Sequence, residues 1–252
     1  MKKHIELCTE MKIDDRAASL RVAAEENPNN VVNNFRHPGL AMALASSDAP
    51  RMAIIFSKKW KTGRTLRIAF LGGVDPAVKE KIILYANRWL QHVNLKFDFV
   101  SGLDGDIRIA TTPGGSWSYI GTDAKLIEPG QPTMNFGWLH KDTPDEEYSR
   151  VVLHEFGHAL GAIHEHQHPE SGIPWDREKV YAYYAEMGWK REDVDNNIFA
   201  RYGYDRLNTS RYDSKSIMHY AIPNELTVGD WKVDWNRVLS ETDKDFIGSS
   251  YP

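Results

Sequence analysis

Cysteine is nearly absent from this chain of 252 residues, which contains only Cys8. One cysteine cannot form an intrachain disulfide, so the fold is expected to rely on its core and to form without an oxidising compartment. No run of about 18 apolar residues, the length that spans a bilayer as a helix, is present. Basic residues do not exceed acidic ones, and the formal net charge is -4. Nucleic acid and membranes are therefore not expected as partners.

A signal peptide is not expected either, because the residues after Met1 to Lys3 are too charged to form its apolar segment. We predict cytoplasmic synthesis, with any export following a non-classical route. The sequence carries no indication of the oligomeric state.

The most informative segment runs from His154 to His164. His154 and His158 are four residues apart, so on a helix they lie about 40° apart around the axis and about 6 Å along it, and can share one metal ion. Glu155 is rotated by about 100° from His154, beside the metal, where it can act as general base. A continuing helix would point His164 away, so the chain must reverse first, and Gly161 permits this by adopting a left-handed conformation. This spacing indicates one catalytic zinc bound by three histidines.

The signals at the start of this segment predict a helix from about Pro144 to Leu160. Thr143 is placed to cap it, with proline at the first helical position, and Glu146 is placed to complete a capping box. Acidic residues in the first turn add a favourable interaction with the helix dipole.

A second motif, Ser216 to Tyr220, follows the third histidine. The extended zinc pattern has a methionine-containing turn after its ligands, so Met218 is expected to pack beneath the imidazoles without binding the metal. The Tyr220 phenol can coordinate the metal at rest or donate a hydrogen bond to the oxyanion that develops during catalysis. Three further histidines are not expected to be ligands, because three nitrogens and a water complete a tetrahedral zinc site: His166, His168 and His219.

Together these motifs resemble the astacin branch of the metzincin zinc endopeptidases. The resemblance covers residues 60 to 252 and rests on the following segments: His154 to Glu165, Asn208 to Asp213, Ser216 to Tyr220, Gly115 to Gly121, Leu239 to Asp243, and Tyr251. It implies a two-lobed catalytic domain in which His154, His158 and His164 bind zinc and Glu155 activates water. It further implies that Tyr220 is a switchable fifth ligand and that Glu165 helps to anchor the amino terminus after processing. The chain departs from the family in having no disulfide and in the segment after Glu165, which indicates a reshaped rim of the cleft.

The rest of the sequence predicts an α+β architecture, with strands and a long helix before the zinc helix and a looser lobe after it. Residues 1–55 are interpreted as an N-terminal extension or removable propeptide, and residues 56–252 as the catalytic domain. Strands are predicted at 65–71, 97–100, 106–110 and 133–136, and helices from Pro76 to about Val93, at 176–186 and at 242–247.

The predicted function is hydrolysis of peptide bonds in protein substrates bound in an extended conformation. The strand at 133–136 is expected to be an edge that pairs with the substrate. Two alternatives are a catalytically silent binding module of the same fold and a structural zinc protein. Cys8 is interpreted either as a free thiol near a mobile terminus or as a latch whose thiolate occupies the open metal position.

Overall fold

A computed structural model describes residues 8–30, 58–202 and 211–252. The predicted boundary between residues 55 and 56 lies outside these ranges, as do residues 208–210 of the astacin-like segment at 208–213. Within the described ranges, no helix is both long and apolar enough to cross a bilayer.

One six-stranded sheet forms the upper part of the molecule. Its strands are β1 (Cys8–Met11), β2 (Thr65–Phe70), β3 (Lys96–Val100), β4 (Ile107–Ala110), β5 (Ser116–Tyr119) and β6 (Met134–Asn135), in the spatial order β1-β5-β6-β4-β2-β3. Only the β5–β6 pair is antiparallel, and the other pairs are parallel. The prediction that residues 133–136 form an edge strand is wrong, because β6 is paired on both sides. Strand β5 lies beside β6 and pairs on its other side with β1.

Six α-helices are present in the described ranges. They are α1 (Arg16–Glu26), α2 (Pro76–Ala86), α3 (Asp145–Ala159), α4 (Arg177–Ala185), α5 (Arg191–Val194) and α6 (Glu241–Ser250). The predicted helix starting at Pro76 is present, and the Asp75 carboxylate caps it by accepting a hydrogen bond from the Ala77 N–H. It ends earlier than predicted, because the chain tightens into a 3-10 helix at Asn87–Gln91.

Two lobes with separate hydrophobic clusters confirm the predicted α+β, two-lobed metzincin architecture. In the upper lobe the core lies between the sheet and helices α2 and α3, and it includes Trp60, Ile68, Trp89 and Phe156. In the lower lobe a smaller cluster joins α4, α5 and the π-helix at Asp195–Phe199, and it includes Tyr184 and Tyr220. The predicted active site lies between the two clusters, because its helix α3 belongs to the first cluster and its Tyr220 belongs to the second.

Helix α1 is attached to the upper lobe by buried polar contacts. The Ser19 hydroxyl donates to the carboxylate of Asp123, which also forms an ion pair with Lys58. At the end of the helix, Glu26 pairs with Arg64 and with Lys125. These partners hold α1 against the upper lobe.

Tyr251, the penultimate residue, connects the C-terminus to the end of helix α3. Its buried hydroxyl donates a hydrogen bond to the Leu160 carbonyl at 2.7 Å and accepts one from the Trp60 N–H at 3.2 Å. The Trp60 indole N–H in turn donates to the Ala159 carbonyl at 2.8 Å. This network fixes the point at which α3 ends.

Replacing Tyr251 by phenylalanine is expected to lower the free energy of unfolding by about 1–3 kcal/mol, because it leaves a buried carbonyl and a buried N–H without partners. Urea denaturation measures this change. The Ser249→Ala variant, which removes an exposed hydroxyl bonded within its own helix, is the matched control. Equal unfolding free energies for the two variants would contradict the role assigned to Tyr251.

Candidate active site

Helix α3 carries the first two histidines of the motif and begins one residue later than its sequence suggests. Pro144 is the N-cap, and the described residues show no side-chain hydrogen bond that caps the helix. The predicted Thr143 cap and Glu146 capping box are therefore wrong. The Thr143 hydroxyl instead accepts from the His140 N–H in the preceding turn. Three acidic residues, Asp145, Glu146 and Glu147, occupy the first turn as expected.

The end of α3 reverses the chain at Gly161, as predicted. Gly161 has a φ of +96°, a conformation that costs other residues free energy because of their Cβ atom. Its N–H donates to the His158 carbonyl and the Ala162 N–H donates to the Gly157 carbonyl, which is the Schellman arrangement. The reversal brings His164 back to face the helix.

Three histidines converge in the interior of the molecule. The ligand atoms of His154, His158 and His164 all lie within 4.8 Å of one another, and all three side chains are buried. Nδ1 of His154 is 2.8 Å from the Ile217 carbonyl, and Nδ1 of His158 is 2.9 Å from the Ala162 carbonyl. Since carbonyl oxygens only accept, each Nδ1 carries the proton and each Nε2 presents a lone pair.

The electrostatics of the cluster suit a metal site. Burial lowers the pKa of His158 to about 4 and holds the pKa values of His154 and His164 well below the ordinary value, with the neighbouring imidazoles adding to the effect at both. Nε2 of His154 is buried without a hydrogen-bond partner among the described residues. Neutral imidazoles with convergent lone pairs are the ligand form that zinc requires, so these residues fit the ion.

Glu155 lies fully buried beside the histidines. Burial raises its pKa to about 8, while the Cys8 thiol and the positive charge of Arg150 act in the opposite direction. Neither carboxylate oxygen has a partner of acceptable hydrogen-bond geometry in the described part of the chain, so the effect of the thiol reflects its proximity. The Arg150 charge is itself held by an ion pair with Glu147 and stacks 4.0 Å above the Trp235 ring. A buried carboxylate whose oxygens have no partner among the described residues can accept a proton from a reactant placed next to it.

The turn at 216–220 passes beneath the histidines, as predicted. Met218 is buried, and its Sδ would lie only 2.3 Å from a Cβ atom added to Gly157. Glycine at this position therefore allows the turn to pack directly against α3. Tyr220 is also buried, and its ring centroid lies 4.4 Å from that of His164.

Strand β1 covers the site, which local sequence patterns do not reveal. Its backbone pairs with β5, so that Cys8 lies opposite Ser116 and Met11 opposite Tyr119. The Tyr220 hydroxyl donates a hydrogen bond to the Cys8 carbonyl. The carboxylate oxygen Oε2 of Glu10 lies 3.7 Å from Nδ1 of His164. Cys8 is only 3% exposed, which does not fit its interpretation as a thiol at a mobile terminus.

The other histidines of the motif region have partners away from the three converging nitrogens. His166 contacts the Asn197 carbonyl through Nε2 at 2.9 Å and stacks on the Tyr220 ring. His168 accepts from the Glu170 N–H through Nδ1. His219 pairs with the Tyr212 hydroxyl at 2.9 Å. These contacts fix the loop that follows the third histidine.

Glu165, which the resemblance links to the processed amino terminus, is mostly buried and accepts a hydrogen bond from the Asp213 N–H at 2.8 Å. Burial raises its pKa to about 8, and the negative charges of Asp243 and Asp213 act in the same direction. Its role in anchoring an amino terminus stays a prediction.

This combination of fold and site defines the class of zinc metalloendopeptidases. Its parts are a helix that carries two histidines and a glutamate, a chain reversal, a third histidine and a methionine turn. Residues 54–230 match the family model described as Astacin, a family of peptidases. The chain belongs to the astacin family, and the predicted resemblance is confirmed.

Several known proteins share this similarity. Two solved structures of myroilysin are each 49% identical in sequence to this chain. The first has a TM-score of 0.75, and the match covers 77% of this chain and 96% of that one. The second has a TM-score of 0.62, and the match covers 78% of this chain and 86% of that one. Tolloid-like protein 1 of Mus musculus is 27% identical over 80% of this chain, and zinc metalloproteinase nas-38 of Caenorhabditis elegans is 27% identical over 65%. The chain spans only 18% and 20% of the length of these two relatives. The hatching enzyme HCE-1 of Oryzias latipes shares the fold at 19% identity and a TM-score of 0.54 over 78% of this chain and 94% of that one.

Replacing Gly157 by alanine is expected to lower the free energy of unfolding by about 1–3 kcal/mol, because the added methyl group overlaps the buried Met218 sulfur. Thermal or urea denaturation measures the loss. The Gly73→Ala variant serves as the control, since a Cβ there meets no atom of the described residues within 4 Å and the backbone needs no positive φ. If Gly157→Ala is as stable as Gly73→Ala, the turn does not pack against α3 as closely as described.

Proposed function

We propose that this chain cleaves internal peptide bonds of protein substrates, with one zinc ion held by His154, His158 and His164 and with Glu155 as the general base. The observation that carries this proposal is a fully buried carboxylate, whose oxygens lack a hydrogen-bond partner among the described residues, next to three convergent, neutral imidazoles. When bound there, zinc supplies Lewis acidity that polarises the scissile carbonyl and acidifies water.

The side chains of the site have three roles in this reaction. Glu155 takes the proton of the attacking water and later delivers it to the leaving nitrogen. The bonds of His154 and His158 to backbone carbonyls hold their rings in one orientation and one tautomer. Tyr220 would donate its hydroxyl proton to the developing oxyanion, a role supported by the hydrogen bond that it donates to the peptide carbonyl of Cys8.

Strand β5 is the proposed binding edge for an extended substrate, in place of the edge expected at 133–136. One side of β5 pairs with β6, and its other side carries β1, whose residues lie within the site. A peptide that replaced β1 would gain the same main-chain hydrogen bonds.

Replacing Glu155 by glutamine tests the general base. The rate of cleavage of an unfolded protein substrate, measured after limited proteolysis of the chain, is expected to fall by about 10²–10⁴-fold, while zinc content measured by elemental analysis stays the same. Glu146→Gln, on an exposed position of the same helix, is the control and should keep wild-type activity.

Undiminished cleavage by Glu155→Gln would require a different base. A wild-type chain that binds zinc but shows no chelator-sensitive cleavage would instead favour a silent binding module or a structural zinc site.

We also propose that the N-terminal extension keeps the enzyme inactive until it is displaced. Strand β1 occupies the β5 edge, Cys8 lies against Glu155, and Tyr220 is engaged by the Cys8 carbonyl. Helix α1 adds the ion pairs of Glu26 and the contact of Ser19 with Asp123. A substrate cannot enter while these contacts persist, since it would need the same edge and the same catalytic groups.

Two substitutions separate the thiol from the strand. Cys8→Ser removes the thiol alone, and Thr9→Pro removes a main-chain N–H and opposes strand pairing. Each is expected to raise the activity of the intact chain about tenfold for every 1.4 kcal/mol by which it weakens the closed state. Peptidase assays before and after limited proteolysis measure this. Arg21→Ala, on the exposed face of α1, is the control.

An increase with Thr9→Pro but none with Cys8→Ser would assign the inhibition to the strand and remove the thiol latch. A wild-type chain with equal activity before and after proteolysis would contradict inhibition by the extension.

A further inference from the structure

Asp243, at the start of the C-terminal helix α6, takes part in two structures at once. It completes the capping box of α6, because its N–H donates to the Ser240 hydroxyl at 3.0 Å and its Oδ2 accepts from the Ser240 N–H at 2.9 Å. The same carboxylate accepts from the Ile217 N–H at 2.8 Å and from the Ser216 hydroxyl at 2.6 Å. The capping box alone would not require these last two bonds.

The turn that Asp243 holds is the one that supports the histidines. The Ser216 hydroxyl, while donating to Asp243, accepts from the Met218 N–H at 3.0 Å. The Ile217 carbonyl accepts from Nδ1 of His154, and the Met218 carbonyl accepts from the N–H of Glu165, next to His164. One turn therefore fixes the orientation of the first histidine and the backbone beside the third.

We propose that Asp243 is a positioning residue for zinc binding, acting through the Ser216–Met218 turn on His154 and on the segment that carries His164. This inference rests on the proposed function, since it takes the three histidines as the zinc ligands. Asp243 touches neither substrate nor metal in this role. Its two oxygens accept from three groups on two elements, so that the turn and α6 are held as one unit against α3.

The physical reason is the orientation of a ligand lone pair. Nδ1 of the His154 ring is held by the Ile217 carbonyl, and the N–H of Ile217 is held by the Asp243 carboxylate. Release of that N–H frees the turn to shift, and the imidazole shifts with the carbonyl. Partners of metal ligands that act through such hydrogen bonds typically contribute about 10–100-fold to metal affinity.

The test is the zinc affinity of purified variants, measured by competition with a chromogenic chelator under conditions in which circular dichroism shows each variant folded. Asp243→Ala is expected to bind zinc about tenfold or more weakly than the wild type. Asp243→Asn is expected to restore most of the affinity, because its amide oxygen can accept from both N–H groups while its amide nitrogen donates to Ser216.

Ser240→Ala is the matched control. It removes the hydroxyl that caps α6 and destabilises that helix, but it leaves the bonds from Asp243 to Ser216 and Ile217 in place. Its zinc affinity is expected to stay near that of the wild type. If Asp243→Ala does not fold, Ser216→Ala replaces it, since this variant removes one link of the same path and is expected to weaken zinc binding severalfold.

The positioning role would be overturned if Asp243→Ala, or Ser216→Ala in its place, bound zinc as tightly as Ser240→Ala does. This holds whatever the stabilities of the variants. A wild-type chain that binds no zinc would instead refute the proposed function, so the two failures are distinguishable.

Discussion

Two backbone carbonyls determine what the rest of the site can do. The Ile217 and Ala162 carbonyls accept the Nδ1 protons of His154 and His158, which leaves both Nε2 lone pairs directed into one buried space. The Ala162 carbonyl is in position because Gly161 reverses the chain, and the Ile217 carbonyl because the turn is packed against Gly157. The long helix, the methionine turn and the C-terminal helix all contribute to holding these two acceptors.

Features set by local chemistry could be predicted from the sequence. The spacing from His154 to His164 predicted the convergence of the three histidines, since helical periodicity and one glycine suffice to determine it. Capping by Asp75 and the helix starting at Pro76 follow from the same kind of local signal. The α+β architecture and the family were also predictable, because the motifs are long enough to be specific.

Features that depend on pairing between distant segments could not be predicted. Strand β6 has two residues and lies between β5 and β4, so its sequence does not show that it is not an edge. The pairing of Cys8 with Ser116 joins segments more than 100 residues apart, and no periodicity reports it. The cap of α3 was misplaced by one residue, because the Thr143 hydroxyl serves the preceding turn instead.

Strand β1 lies over the three histidines, so the proposed inhibition and the proposed chemistry involve the same groups, notably Glu155 and Tyr220. All of this depends on the three histidines binding one ion. X-ray absorption at the zinc edge of the purified chain tests that point most directly. We expect one zinc per chain with three imidazole nitrogens at about 2.0–2.1 Å, and loss of that signal in His158→Ala. A chain without stoichiometric zinc, or zinc whose surroundings do not change in that variant, would contradict it.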